Sequence, residues 1–285
     1  MNAIKRRFFD LCRGLRLHPW RTAISSFAAF SVLWTLTEAV SYLAETDKIR
    51  GVWVLAAFIA ASVAYGFWLV WKPTKVTIKI ADTNSKIEIS FGDLFAQEGV
   101  RAIAVTEFFD TEIGEPVSER SVHGAFIKKY FGGGVTSLEE QLQQQLAEAA
   151  GTQTGKAKGK SVSYPIGTSA LVAVGSDRFI LFALSKADPK TCKADSSVTM
   201  MWVALHGLWK QARIVCGGHP LALPLVGAGL SNIGLPPRDL LNLLILSLIT
   251  ETKEKQITQV IRIVLGMDVY EDLDLRTVKK HWEER

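Results

Sequence analysis

Cysteine is scarce in this chain. Among 285 residues only Cys12, Cys192 and Cys216 carry thiols. They lie far apart and without a pairing pattern, which argues against a disulfide framework and suits reduced thiols in a cytosol. No zinc spacing is present: His123, His206 and His219 form no ligand motif with the cysteines, so no metal is expected. There is no arginine-rich helix interleaved with aromatics. The formal charge of +5 comes largely from the N-terminal basic segment and needs no nucleic-acid partner. Charge is also missing where that matters most. Thr22 to Ala44 holds a single charged side chain, Glu38, and Gly51 to Trp71 holds none.

A hydrocarbon core of about 30 Å is crossed by roughly 20 helical residues rising about 1.5 Å each. Both stretches reach that length, and the polar segment Glu45 to Arg50 separates them. A helical hairpin crossing a lipid bilayer twice is therefore expected, at about residues 22–44 and 51–71. A pair of buried helices in a globular core fits less well, because the second stretch is apolar all round. Neither stretch resembles a cleaved signal: the first is too long, and Tyr42 and Leu43 spoil the small-residue pattern. Lys5, Arg6, Arg7, Arg13, Arg16 and Arg21 precede the first stretch, and Lys72, Lys75 and Lys79 follow the second. The positive-inside rule then puts both termini in the cytoplasm, giving a multi-pass protein of the cell inner membrane. Arg6, Arg7, Phe8, Phe9 and Leu11 would also permit a helix on the membrane surface. Ala56, Ala60 and Ala64 repeat at a spacing of four, with Ala57 and Ala61 beside them. Such a stripe admits a close helix, either the other half of the hairpin or a second subunit of a homo-oligomer.

The remainder, residues 75–285, has the length of one domain with a large core. Val76–Ile80 and Lys86–Ser90 alternate around the turn Asp82–Ser85, which reads as a β-hairpin. Buried strands are expected at Ala102–Thr106, Leu221–Val226 and Gln259–Leu265, and a pair at Ala170–Val174 and Phe179–Ser185. Helices are expected at Val122–Tyr130, Leu138–Ala149 with Ser137 as cap, Val198–Ile214, Arg238–Thr250 and Tyr270–Trp282. The helix at Val198–Ile214 should bury Met201, Trp202, Leu205, Leu208 and Trp209 on one face. Gly151–Lys160, rich in Gly, Lys and Thr, reads as a mobile surface loop. Leu240–Ile249 is apolar but too short to span a membrane and reads as a buried crossover helix. Strands alternating with helices argue a mixed sheet covered by helices.

The segment with most chemistry runs from Pro224 to Pro236: a strand, the loop Gly227-Ala228-Gly229-Leu230-Ser231-Asn232-Ile233-Gly234, then a helix. At the carboxyl end of a strand, free main-chain N–H groups can converge on an anion. Glycines let the chain approach a diphosphate without Cβ clashes. Glycine loops also merely turn corners, so this segment alone leaves both readings open.

The order of elements resembles a macro domain, the ADP-ribose-binding α/β module. Ile87-Glu88-Ile89-Ser90-Phe91-Gly92-Asp93-Leu94-Phe95 is similar to that family's early strand ending in Gly-Asp-Ile/Leu. The resemblance implies that Asp93 accepts a hydrogen bond from the adenine amino group and that the Leu94 N–H supports the base; a turn or helix cap is the other reading of Asp93. Arg120-Ser121-Val122-His123-Gly124-Ala125-Phe126-Ile127 resembles the first phosphate loop, implying Val122, His123, Gly124 and Ala125 at the ligand. His123 replaces a common Asp and is open either to phosphate contact or to solvation. Gly227, Ala228, Gly229, Leu230, Ser231, Asn232 and Gly234 resemble the second loop, which grips the diphosphate and distal ribose. Val260–Leu265 and Asp268–Asp274 resemble the last strand and its loop.

Two departures bear on activity. Hydrolytic macro domains carry an Asn-rich segment where this chain reads Val105-Thr106-Glu107-Phe108-Phe109-Asp110, and the first loop lacks the usual glycine run. Binding without turnover is expected, with no catalytic residue and no cofactor; the alternative is a membrane-tethered ADP-ribosylhydrolase using Glu107 or Asp110. A hairpin followed by a divergent macro domain resembles the transmembrane effectors of Thoeris, a bacterial anti-phage system. That resemblance implies a fold of class α/β, with an N-terminal two-helix transmembrane hairpin (domain 1–74) and a cytosolic macro-like mixed sheet sandwiched between helices (domain 75–285). It further implies an effector that senses an ADP-ribose-type messenger from a TIR-domain enzyme and then disrupts membrane integrity.

Overall fold

In the computed structural model the described residues are 10–12, 14–16, 18–43, 51–231 and 233–283. Most of the basic N-terminal segment, the polar segment Glu45–Arg50 and Asn232 lie outside them. The chain divides into two compact units, Met1–Thr74 and Lys75–Arg285.

The long helices of the first unit are α1 (Pro19–Leu43) and α2 (Val52–Val70). Both are long and apolar enough to cross a membrane. Most of their large apolar side chains are exposed, among them Trp20, Phe27, Leu36, Trp53, Ile59 and Trp68. That is a surface suited to lipid rather than to water. The helices meet through small residues: Gly66 lies so close to α1 that a Cβ there would strike Ser26 Oγ and come within 3.0 Å of the Thr22 carbonyl. Ser62, Gly66 and Val70 are the buried positions of α2, whereas Ala56, Ala60 and Ala64 stay exposed. The alanine stripe is therefore not what packs the hairpin on itself.

The second unit is built on an eight-stranded mixed sheet. Its strands are β1 (Lys75–Lys79), β2 (Lys86–Phe91), β3 (Val100–Thr106), β6 (Ser169–Val174), β7 (Asp177–Ala187), β8 (Ala194–Asp195), β9 (Leu221–Pro224) and β10 (Val260–Leu265). The order is β1-β2-β10-β9-β3-β7-β6, with β8 paired to β7. The inner strands β2, β10, β9, β3 and β7 run parallel, while β1 and β6 close the two sides antiparallel. A separate two-stranded ribbon joins β4 (Thr152–Gln153) and β5 (Val162–Ser163).

Strand alternation divides the core into two layers. Ile180, Phe182 and Leu184 of β7 face one cluster, formed with α5 (Val198–Val215), α6 (Pro237–Glu254) and α7 (Leu275–Glu283). Phe179, Leu181 and Ala183 face the other, formed with α3 (Val122–Phe131) and α4 (Thr136–Leu146). The Gln141 side chain pairs with both main-chain groups of Ala173, at 2.8 and 3.1 Å, so α4 shields the edge strand β6. In the first cluster the Trp209 indole N–H donates to Ser247 Oγ at 2.9 Å, which satisfies the one polar atom of a fully buried ring. Leu240, Leu241, Leu244, Ile245 and Leu248 are fully buried, as a crossover helix requires.

Several expectations need correction. Trp202 is 42% exposed, because Met201, Leu205, Leu208 and Ala212 form the buried stripe and Trp202 lies one helical step to its side. Ser137 sits inside α4, whose first turn follows Val135 with no side-chain cap. The last helix starts only at Leu275, after a short 3-10 turn at Met267–Val269. The Asp274 carboxylate accepts the Arg276 N–H at 2.9 Å and thereby opens that helix. Finally, Gly151–Lys160 is anchored: Lys156, with a fully buried side chain, pairs with Asp110 at 2.5 Å.

Candidate functional site: a crevice between two parallel strands

Because the inner strands run parallel, their carboxyl ends share one edge of the sheet. Two of them part there. β3 pairs with β9 only at Val100–Leu221 and Arg101–Ala222, whereas its pairing with β7 continues to Thr106. Beyond Arg101 the sheet opens into a crevice of the kind where ligands of open α/β sheets bind. A cavity of about 790 Å³ fills it. Its walls are Ala104–Thr106 at the end of β3, Pro224–Ser231 from the end of β9 onward, Gly266, Asp268 and Val269 after β10, Cys192–Ala194 after β7, and the segments 116–118 and 120–123.

Ser121 organises the first wall. Its hydroxyl accepts the Gly124 N–H at 2.8 Å, and its carbonyl accepts that of Ala125 at 2.9 Å. These bonds start α3 and leave the Val122 and His123 N–H groups without a partner among the described residues, both at the cavity wall. Anions are favoured at such a helix start. Gly124 is needed for close approach, since a Cβ would lie 2.2 Å from the Ser118 carbonyl oxygen. His123 is buried rather than solvated: it is 6% exposed, and its Nε2 has no hydrogen-bond partner among the described residues. Burial, aided by the nearby Lys160 ammonium, pushes its pKa down to about 3. The imidazole is neutral at physiological pH, so it offers a hydrogen bond but no charge.

The second wall is the loop after β9. Gly227 has φ +88°, and a Cβ there would lie 2.5 Å from Ile233 Cδ1. The loop is closed by an Ile233 N–H to Gly227 carbonyl bond at 3.5 Å. From Val226 to Ser231 the main-chain amides have no partner among the described residues, although all six residues line the cavity. A run of unpaired amides beside a cavity is an arrangement that an anionic group satisfies. Gly234, with φ +75°, turns the chain toward α6 and is not part of the cavity wall.

A family model described as Thoeris protein ThsA, macro domain, matches residues 87–266. The chain belongs to the Thoeris ThsA macro-domain family. Its fold is that of macrodomains in solved structures. The Oceanobacillus iheyensis macrodomain with MES bound is 12% identical, with a TM-score of 0.52, covering 74% of this chain and 100% of that one. The same macrodomain with ADP is 12% identical with a TM-score of 0.50, covering 73% and 98%. No curated protein matches the chain.

Within this ThsA macro domain the other expected residues fall as follows. Asp93 caps the short 3-10 turn Leu94–Ala96, accepting the Phe95 N–H at 2.9 Å. It is exposed at the end of β2, apart from the cavity wall, and Leu94 is buried in the second core cluster. Asp110 is not free for chemistry: one carboxylate oxygen pairs with Lys156 Nζ and the other accepts the Lys160 N–H at 2.8 Å. Glu107 is half-buried beside Ser185, outside the cavity wall, and desolvation raises its pKa. Sequence reasoning missed Lys156, Lys160 and the β7–β8 tip at Cys192–Ala194. The lysine-rich segment was visible, but its partner Asp110 lies 46 residues away and the pairing leaves no local pattern.

Proposed function

We propose that this protein is a membrane-anchored receptor that binds an ADP-ribose-derived messenger, made by a TIR-domain enzyme, and then disrupts membrane integrity in anti-phage defence. The observation that carries this reading is the pair of amide runs, Val122–His123 and Val226–Ser231, that have no partner among the described residues and line one cavity in a ThsA macro domain. A nucleoside diphosphate sugar suits that cavity: its two charges lie on the diphosphate, which main-chain amides can hold without side-chain cations. Gly124, Ala125 and Gly234 shape the two loops, and Asn232 belongs to the second. Asp93 and the Leu94 N–H at the end of β2 would meet the base.

Binding rather than hydrolysis is supported by the carboxylates. Hydrolysis needs a base or water-holding group at the reacting sugar. Asp110 is committed to Lys156, Glu107 lies off the cavity wall, and Asp268 follows β10, two strands from β3. The hairpin of domain 1–74 supplies the output, with both ends on the cytoplasmic side of the inner membrane. Its exposed alanine stripe and an open apolar groove lined by Ala28, Ala29 and Ala61 suit contact with hairpins of other subunits. A ligand shifts that assembly by its differential affinity for the two arrangements.

The test is calorimetric titration of the full chain in detergent micelles with ADP-ribose, its cyclic and amino-acid-linked forms, and NAD, together with dye leakage from cells supplied with messenger. Asp93→Ala is expected to weaken binding by roughly 1.5–3 kcal/mol, the range for a hydrogen bond to a charged group. Deleting residues 1–71 is expected to abolish leakage. No heat with any of these nucleotides, or leakage without the hairpin, refutes the proposal.

A further inference from the structure

We infer that Arg120 and Lys193 form an anion subsite on the β3–β7 side of the crevice, which receives a negatively charged group carried on the distal sugar of the nucleotide. The inference rests on the nucleotide reading above and specifies its ligand: a derivative with a third anionic group beyond the diphosphate.

The two sides of the crevice differ in charge. Strand order puts Asp268, after β10, on one side and Lys193, after β7, on the other, with β9 and β3 between them. Arg120 precedes α3 on the β3–β7 side and also lines the cavity. Of the neighbouring lysines, Lys156 pairs with Asp110, Lys158 with Glu115 and Lys128 with Glu119, while Lys160 is partly buried, feels the Glu139 and Asp110 carboxylates, and does not line the cavity. Arg120 and Lys193 have no carboxylate partner among the described residues. Two free cations at one cavity wall raise the local potential for an anion, more so where a low-dielectric wall focuses it.

The tip that carries Lys193 is held by backbone hydrogen bonds. The Asp188 N–H donates to the Lys193 carbonyl at 3.0 Å, and the Cys192 N–H donates to the Asp188 carbonyl at 2.9 Å. The Asp188 carboxylate accepts the N–H groups of Lys190 and Thr191, at 3.0 and 2.7 Å. The Ala157 N–H donates to the Pro189 carbonyl at 3.0 Å, tying this tip to the segment that Lys156 anchors. The diphosphate has its own donors in the amides after β3 and β9. His123, at the start of α3, is neutral. The positive charge of Arg120 and Lys193 is thus additional to what the diphosphate needs. Because Asp93 and Asp268 occupy the β2–β10 side, where the base would lie, the added anion belongs at the other end of the molecule, on the distal sugar.

Either a phosphate or a carboxylate on that sugar satisfies the chemistry, and the experiment separates them. The full chain in detergent micelles is titrated with three probes: ADP-ribose, ADP-ribose carrying a phosphate on the anomeric oxygen of its terminal ribose, and ADP-ribonate, which ends in a carboxylate. The wild type is expected to bind at least one charged probe about tenfold more tightly than ADP-ribose, as for one charge-assisted contact. The preferred probe identifies the group. In Arg120→Gln/Lys193→Gln that ratio is expected to fall to within about twofold, since both side chains are exposed and the fold does not depend on them. A ratio near one in the wild type, or a tenfold ratio that survives in the double variant, overturns the subsite. Failure of all three probes to bind refutes the nucleotide reading itself, a result distinct from equal binding of all three.

Discussion

Lys156→Met tests whether the lysine-rich segment is part of the folded domain. The wild-type ammonium is fully buried, 2.5 Å from Asp110 Oδ2 and 4.1 Å from the centre of the Phe108 ring. Methionine keeps most of the side-chain volume but leaves a carboxylate that is 2% exposed with one remaining donor, the Lys160 N–H. Removing one partner of a buried pair costs about 3–5 kcal/mol, and the surviving hydrogen bond argues for the lower end. For a domain of roughly 150–250 residues each kcal/mol lowers Tm by about 2–4 °C, so a loss of about 6–12 °C is expected. Asp110→Asn/Lys156→Met removes both charges and should recover at least half of that loss, because the orphaned carboxylate and not the missing attraction dominates. Thermal melts of the full chain, with limited proteolysis of residues 151–160, measure both. A fall under about 2 °C with no new cleavage would show that the pair does not hold the segment, and the argument for an anchored wall would fail.

Acid stability gives a second check. His123 has a folded pKa of about 3 against an ordinary value of 6.5. The unfolded chain therefore binds the proton first, and stability falls as pH drops below 6.5. Over the interval to about pH 5 the loss is roughly 1.5–2 kcal/mol, and denaturant titrations of His123→Gln should lack it. Glu88 acts lower on the scale. Burial pushes its pKa up, but hydrogen bonds from Lys75 and Lys86 outweigh this and hold it at about 2 against 4.5. Its stabilisation is complete above pH 4.5 and disappears as pH falls toward 2; Glu88→Gln should flatten that limb alone. Gly227→Ala forces a side chain onto φ +88° and against Ile233. It is expected to cost about 1–2 kcal/mol of stability and to weaken nucleotide binding, measured by melting and by calorimetry. Normal affinity in that variant would remove the loop after β9 from the site.

The parallel strands were readable because a strand buried on both faces is a short β-branched or apolar run, as at Ala102–Thr106 and Val260–Leu265. The helices of the second half were readable from their apolar period. What stayed hidden was non-local. The two-residue strands β4, β5 and β8 have no pattern of their own and exist through their partners. The break before α7 was present in the sequence as Asp274, a strong N-cap residue, but the acidic run around it hid which Asp served. At the site, the residue types of both loops could be read, since serine, glycine and proline state their roles locally. The crevice could not, because it arises from where β3 and β9 stop pairing. The depressed pKa of His123 likewise owes part to Lys160, 37 residues later in the chain.

Asp110 links stability to recognition. It ends the segment after β3 and grips Lys156 with one oxygen and the Lys160 N–H with the other. Lys158, between these two, pairs with Glu115, and the Ala157 N–H reaches Pro189. Three segments, 110–121, 156–160 and 188–194, are thus tied together before any ligand arrives; they carry Arg120 and Lys193, and the first leads directly into Val122 and His123. An anion held by several weak donors gains affinity only if those donors are already in place, because ordering each loop on binding subtracts from the gain. The cost of Lys156→Met should therefore appear twice: as lost stability in the free protein, and as weaker nucleotide binding, although Lys156 itself does not line the cavity. A variant that melts early yet binds with wild-type affinity would separate the two and show that the site is organised without this hub.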